Sequence, residues 1–197
     1  MKVIYIIGKS SIGKDTIYKI LKEKMDVIPY VLYTTRPIRN GEKDGVDYNF
    51  LSDEAMNNYI NHVPSNVIEY RTYNTVHGPW TYATILDEQF NSGNDLLMEG
   101  TLESYNSIKN YFEKNEQVQL IPIYIEVEDG VRLERALNRE KQQENPKYEE
   151  LCRRFLADNK DFSEENIKRS GIIKRFENDN LDRCVSEIIE YVKNYKN

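Results

Sequence analysis

The stretch 3–16, VIYIIGKSSIGKDT, decides the fold. Lys2 to Ile7 is a continuous run rich in β-branched residues without polar alternation, the pattern of a strand buried on both faces of a parallel sheet. From Asp15 to Met25, the residues Ile17, Ile20, Leu21 and Met25 recur at helical spacing. Between the two, Gly8, Gly13 and Lys14 stand in the G-x-x-x-x-G-K spacing of a phosphate-binding loop, in the strand-loop-helix context that motif requires. The glycines let the backbone turn tightly so that successive N–H groups face an anion. The helix end adds partial positive charge, and the lysine reaches the transferred phosphate. The loop nominates Gly8, Ser10, Ser11, Ile12, Gly13, Lys14, Asp15 and Thr16 as nucleotide ligands. Asp15 follows the lysine where such loops usually carry Ser or Thr, and the hydroxyl arrives one residue later at Thr16. Mg²⁺ prefers oxygen ligands, so Asp15 and Thr16 are candidate metal ligands. A first-turn aspartate favoured by the helix dipole alone is the alternative for Asp15.

Outward from this unit, strand and helix patterns alternate, which predicts an α/β layer architecture with a mostly parallel sheet. Val31 to Phe50 is interrupted by Arg36, Pro37, Arg39, Gly41 and Gly45, and reads as turns joining short extended pieces. A helix is expected from about Ser52 to Asn61, a strand from Val67 to Tyr73, and a helix in TILDEQFNSG stopped by Gly93. The strand DLLME, a helix from Leu102 to Asn115, and an Ile- and Val-rich strand from Leu120 to Val127 follow. Helices from Val131 to Arg139 and Tyr148 to Lys160 flank the polar EKQQENP. The chain then closes with an extended Ile172 to Phe176 and a helix from Leu181 to Tyr195.

Length and composition agree with one compact domain: 197 residues, 39% hydrophobic and 30% charged. No apolar run approaches the roughly 20 residues that span a bilayer, so no membrane role is expected. Cys152 and Cys184 have neither metal-ligand spacing nor the density of a disulfide scaffold, which fits a reducing cytoplasm. A net charge of -6 argues against broad nucleic-acid binding, and any phosphate ligand must meet a local cationic cluster.

The segment 33–50, YTTRPIRNGEKDGVDYNF, supplies one. Two guanidinium forks, Arg36 and Arg39, can grip a phosphate bidentately and Tyr48 can add a hydroxyl bond. Its pattern TTR-x-x-R-x-G-E-x-x-G-x-D-Y-x-F, placed after a phosphate loop, resembles the monophosphate-binding signature of guanylate kinases. That resemblance implies a three-layer P-loop NTPase core (about 1–30, 93–128 and 160–197), an inserted nucleotide monophosphate-binding subdomain (about 31–92) and a helical lid (about 129–159). It further implies that Arg36, Arg39 and Tyr48 hold the phosphate of GMP, with Glu42 and Asp47 shaping the turns. VIEYRTYNTVHGPWTYAT, 67–84, looks like the family's segment with a base-reading glutamate followed by Tyr-Gly-Thr, at a longer spacing. This makes Glu69 the acceptor for guanine, Tyr82 a phosphate ligand and Thr84 a base contact.

Where the family carries two aspartates two residues apart, this chain has Glu99 and Thr101. Glu99 is thereby a candidate for the Mg²⁺ water shell and Thr101 for the base. The family's early base-contacting serine falls at Leu32. Arg135, Arg139 and Arg154 match arginines that close on the triphosphate, and FENDNL resembles a turn that sets Asn178 near adenine. The implied activity is in-line transfer from Mg·ATP to GMP or dGMP, with Lys14, Arg36, Arg135, Arg139 and Arg154 catalytic. Neither His62 nor His77 is required, because the acceptor phosphate is already an anion, and both are read as surface residues. ATP and GMP are the expected small-molecule partners, without nucleic acid or membrane, for a monomer or homodimer. Two alternatives stand beside this reading: a kinase of the same fold acting on another monophosphate or small phosphorylated acceptor, and a non-catalytic interaction module.

Overall fold

The computed structural model describes residues 1–75, 78–113 and 118–195. The buried run at the amino terminus forms β1 (Lys2–Ile7), and the phosphate loop leads into α1 (Lys14–Lys24). Around β1 lies a five-stranded sheet in the order β2 (Ile28–Pro29), β7 (Leu96–Gly100), β1, β8 (Gln119–Glu126) and β9 (Arg175–Glu177), all parallel. A strand buried on both faces feeds two cores, and β1 does so residue by residue. Val3, Tyr5 and Ile7 enter one core with Leu96, Met98 and Tyr124, while Ile4 and Ile6 enter the other with Leu97, Ile121, Ile123 and Ile125. The first core is covered by α4 (Leu102–Phe112) and α7 (Glu164–Arg169) through Leu102, Tyr105, Ile108 and Ile167. The second is covered by α1 and α8 (Leu181–Asn194) through Ile17, Leu21, Val185 and Ile188. Helices on both faces of a parallel sheet make the expected three layers.

A second sheet is built from 33–85 in the order β4 (Asn49–Phe50), β3 (Tyr33–Thr34), β6 (Gly78–Ile85) and β5 (Val67–Thr75). Its own small core packs Ala83 and Ile85 against Met56 of α2 (Asp53–Asn61), whose N-cap Ser52 accepts from the Ala55 N–H. The helical reading of TILDEQFNSG is corrected here. Thr84 and Ile85 end β6, paired in antiparallel register with β5, and only α3 (Glu88–Asn91) is helical. Cross-strand partners contributed by β5 outweigh the local helical pattern. Two further differences concern the carboxyl-terminal third. The helix α7, capped by Ser163, stands where no element was expected, and of the expected extended piece only Arg175 and Phe176 pair with β8, in a strand that runs on to Glu177. Between β8 and α7 run α5 (Asp129–Lys141) and α6 (Tyr148–Asp161). The expected helix to Asn115 is described to Phe112, and its last two positions and His77 lie outside the described residues. No helix of the described residues is long and apolar enough to cross a membrane.

Close packing below the site is tightest at Gly100, the last residue of β7. A Cβ there would lie 2.1 Å from Tyr5 Oη and 2.7 Å from Ser104 Oγ, two buried groups hydrogen-bonded to each other at 2.6 Å. Gly100→Ala is expected to break that bond and lower unfolding free energy by about 1–3 kcal/mol in urea titration, and an unchanged midpoint would refute the packing argument.

Candidate active site

The site is assembled at the carboxyl ends of the parallel strands, where open α/β sheets leave a crevice. The loop after β1 passes close against the end of β8 because Gly8 has no side chain: a Cβ would meet the Ile125 carbonyl oxygen at 2.5 Å. Ile12 then turns its side chain into the core and its carbonyl to Asn178, whose Nδ2 donates at 2.7 Å. Gly13, at φ 93°, caps α1 without a side-chain partner, so the first amides of the helix stay open to an anion. Ser11 takes the left-handed conformation as well, at φ 65°. Lys14 folds back so that Nζ donates to the Gly8 carbonyl at 3.2 Å.

Two clefts meet at Lys14 and Asp15. The first, about 470 Å³, unites Ser11, Gly13 and Thr16 with Arg135, Arg139 and Asn178. Arg135 reaches it from α5 by donating to the Asn178 carbonyl at 3.2 Å, and Arg139 by donating to Ser11 Oγ at 3.0 Å. The second, about 380 Å³, unites Gly8 and Ser10 with Leu32, Tyr48, Tyr82, Glu99 and Thr101 across the gap between the two sheets. Arg36 stands behind this wall, buried, with its guanidinium 5.1 Å from the centre of the Tyr48 ring. Tyr82 meets Tyr48 and Tyr73 edge-on at 5.9 Å.

Of the remaining expected site residues, Arg39, Arg154, Glu69 and Thr84 stand apart from these clefts. Arg39 is exposed on the turn, where its N–H donates to Glu42. Arg154 is exposed and pairs with Glu150 at 3.5 Å, facing a small crevice beside Ser10, Ser11 and Arg139. Glu69 and Thr84 are buried and bonded to each other, with Thr84 Oγ1 donating at 2.9 Å. Arg71 lines the second cleft in front of them. Thr101 caps α4, accepting from the Ser104 N–H at 3.2 Å. His62 is exposed at the end of α2.

Sequence reading passed over Arg71 and a second group on α5 and α6. Arg132, 1% exposed, donates to Asp129, Asp158 and Asn159 and lies 3.9 Å over the Phe155 ring. Asp158 in turn accepts from the Ser10 N–H at 2.8 Å, and Lys9 donates to Asp129 and Asn159. The two helices are thus stapled to the phosphate loop. The only local signal was the i,i+3 spacing of Asp129 and Arg132.

Among the described residues no three His, Cys, Asp or Glu side chains converge on a metal position. A divalent ion here would take most of its ligands from phosphate and water. Glu99 fits that role: its Oε2 is buried without a hydrogen-bond partner. Burial pushes its carboxyl above the ordinary range, against the pull of Lys14 and with Asp15 adding to the rise. An unpaired buried carboxylate is costly until a cation or its hydration shell meets it. Asp15 and Thr16 are exposed on the same helix start, within reach of solvent oxygen ligands.

The Arg36–Glu42 pair sets the shape of the 33–50 turn. Arg36 Nη1 and Nη2 donate to the two Glu42 oxygens at 3.0 and 2.8 Å, and Arg36 holds the Glu42 carboxyl below its ordinary range, helped by the Arg39 N–H. Because the folded state depresses this pKa, its stabilisation is present above the ordinary carboxylate range and is lost as pH falls through the depressed value. Glu42→Gln is expected to lower Tm at neutral pH, the gap to the parent closing in acid. An equal gap at both pH values would remove the ion pair as its cause.

Comparison with known proteins follows the same lines. A sequence model of the guanylate kinase family matches residues 1–195. A guanylate kinase of Fusobacterium nucleatum subsp. nucleatum is 30% identical over 113 residues, 55% of this chain and 58% of that protein. Another, from Mycobacterium sp. (strain MCS), is 32% identical over 123 residues, 61% of each. The chain thus spans about six-tenths of the length of these curated relatives. The crystal structure of guanylate kinase from Anaplasma phagocytophilum superposes with a TM-score of 0.61 at 16% identity, covering 98% of this chain and 85% of that one, which shows a shared fold. Matched along nearly its whole length by the family model and carrying the phosphate loop in its strand-loop-helix setting, this chain belongs to the guanylate kinase family.

Proposed function

We propose that the chain transfers the γ-phosphoryl group of Mg·ATP to a nucleoside monophosphate, GMP or dGMP, by direct in-line displacement. The observation that carries this reading is the meeting of two polar clefts at Lys14 and Asp15, one walled by Arg135, Arg139 and Asn178 and the other by Tyr48 and Tyr82. Phosphoryl transfer asks for little covalent chemistry from the protein, so placement and charge neutralisation carry the rate. The open amides at the start of α1 and the loop backbone bind the donor phosphates. Lys14, Arg135 and Arg139 lie beside the transferring group, with Arg154 joining from α6, and Asn178 sits toward the adenine. Tyr48 and Tyr82 orient the acceptor phosphate, with Arg36 and Arg39 supplying positive charge from the turn behind them and Glu69, Thr84 and Thr101 beneath the base. Bound Mg²⁺ supplies charge neutralisation on the phosphate oxygens, and Asp15, Thr16 and Glu99 are the residues that would hold it or its water.

In this reading 31–92 is the acceptor-binding part, and 129–159 is a lid whose exposed tip, Gln142 to Pro146, moves to exclude water. The remaining segments are the core. Free Cys152 and buried, free Cys184 fit a reducing cytoplasm.

A panel of nucleoside monophosphates with coupled detection of ADP tests the activity. A six-oxopurine monophosphate is expected to be the best acceptor, and Lys14→Ala is expected to lower kcat by about 10²-fold or more. A better rate with AMP, CMP or UMP, or an undiminished Lys14→Ala rate, would overturn the assignment. Glu99→Gln is expected to raise the Mg²⁺ concentration for half-maximal rate while leaving the nucleotide-free protein at least as stable as the parent, because a buried unpaired charge is removed. An unchanged Mg²⁺ requirement would exclude Glu99 from the metal shell.

A further inference from the structure

Behind the second cleft the buried acceptor Glu69 is already satisfied. Its Oε2 accepts from Arg71 Nε at 3.0 Å, and its Oε1 accepts from Thr84 Oγ1 at 2.9 Å and from Arg71 Nη2 at 3.5 Å. The Glu69 side chain is 4% exposed and that of Arg71 13% exposed, and the cleft is walled by Arg71, not by Glu69. The rest of the guanidinium is anchored too, with Nη1 donating to Thr101 Oγ1 at 2.8 Å and to Tyr73 Oη at 3.3 Å. Thr101 Oγ1 is itself committed to the α4 cap, accepting from the Ser104 N–H. Leu32, across the same cleft, offers no polar group to a base. A base entering here therefore meets a fixed guanidinium with one N–H, on Nη2, left to donate, in front of a neutralised carboxylate.

We propose that Arg71 is the specificity-determining residue of the acceptor site, and that it shifts selection from the two-amino group of guanine to the six-oxo group shared by guanine and hypoxanthine. The inference rests on reading the second cleft as the acceptor site. Strong discrimination by a hydrogen-bonding pocket, about 10⁴-fold, arises when the analogue leaves a buried polar group unpaired. Here the analogue without the amine leaves nothing unpaired, because Arg71 and Thr84 already fill Glu69. The one Arg71 N–H not committed to Glu69, Thr101 or Tyr73 can donate to the six-oxo oxygen of a purine, whereas the six-amino group of adenine sets a donor against it. GMP and IMP are thus grouped together and AMP is excluded.

The test compares GMP, IMP and AMP by kcat/KM in the coupled assay and by calorimetric binding, in the parent, Arg71→Ala and Arg71→Lys. In the parent, GMP and IMP are expected to agree within about tenfold and AMP to fall about 10²-fold or more below both. Arg71→Ala exposes Glu69 to the base, so the GMP to IMP ratio is expected to rise about tenfold or more, carried by KM, while Arg71→Lys keeps the carboxylate neutralised and the ratio near the parent's. A purely structural role would lower both activities together and leave the ratio untouched, and that result overturns the proposal. So does a parent that prefers GMP over IMP by more than about 10²-fold, a comparison that needs no variant to fold. Tight, equal binding of GMP and IMP without phosphoryl transfer would sink the kinase reading and leave this one standing. Fast transfer to GMP with IMP rejected would do the reverse.

Discussion

The phosphate loop lies over the ends of the parallel strands only because nothing projects from Gly8. With the Ile125 carbonyl 2.5 Å from where a Cβ would be, any side chain would push the loop off the sheet. That contact sets the position of the whole loop, since Ile12 is then drawn into the core and its carbonyl is taken by Asn178. Gly13 opens the start of α1 in the same arc, and Lys14 is delivered to the point where two clefts meet. A single steric allowance in the sheet thus fixes where charge can be concentrated.

Charge is concentrated there in a chain that is acidic overall, at -6. Positive groups come from separate elements: Lys14 from α1, Arg135 and Arg139 from α5, Arg36 from the turn before β4, and Arg71 from β5. Two are already partnered, Arg36 by Glu42 and Arg71 by Glu69, as is Arg132 beneath the loop by Asp129 and Asp158. A guanidinium buried without an anion is costly, so these pairs make the cationic walls compatible with folding. Glu99 is the opposite case, a buried carboxylate oxygen left unpartnered beside the loop.

Much of this was readable along the chain because the responsible interactions are local. The strand, loop and helix of 3–16 are adjacent in sequence, and so are Arg36, Glu42 and Tyr48 in their turn. The hydrophobic runs that become β1, β7 and β8 are legible for the same reason, as each is buried on both faces. Misreadings occurred where a distant partner overrode a local pattern. Thr84 and Ile85 suit a helix until β5 supplies ladder partners, and α7 carries too little periodic sequence to announce itself. Arg132 on its helix looks like a solvated residue, since Asp158, which buries it, lies twenty-six positions on.

Residue types and short spacings therefore determined that the chain carries a phosphate-loop motif between strand and helix, that its main sheet is parallel, and that an Arg and Tyr turn follows the loop, since backbone sterics and hydrogen bonding act within a few residues. Which of the two charged side chains lines the second cleft was decided only in three dimensions. Glu69 and Arg71 alternate with Tyr70 on one strand, as any edge strand's charged residues do, and nothing in their spacing distinguishes a free carboxylate from a neutralised one. Thr84 comes from the neighbouring strand and Thr101 from the cap of α4, and their convergence turns the guanidinium toward the cleft and the carboxylate away from it. Pairing energies among buried polar groups depend on which groups the fold brings together, and that information is not local.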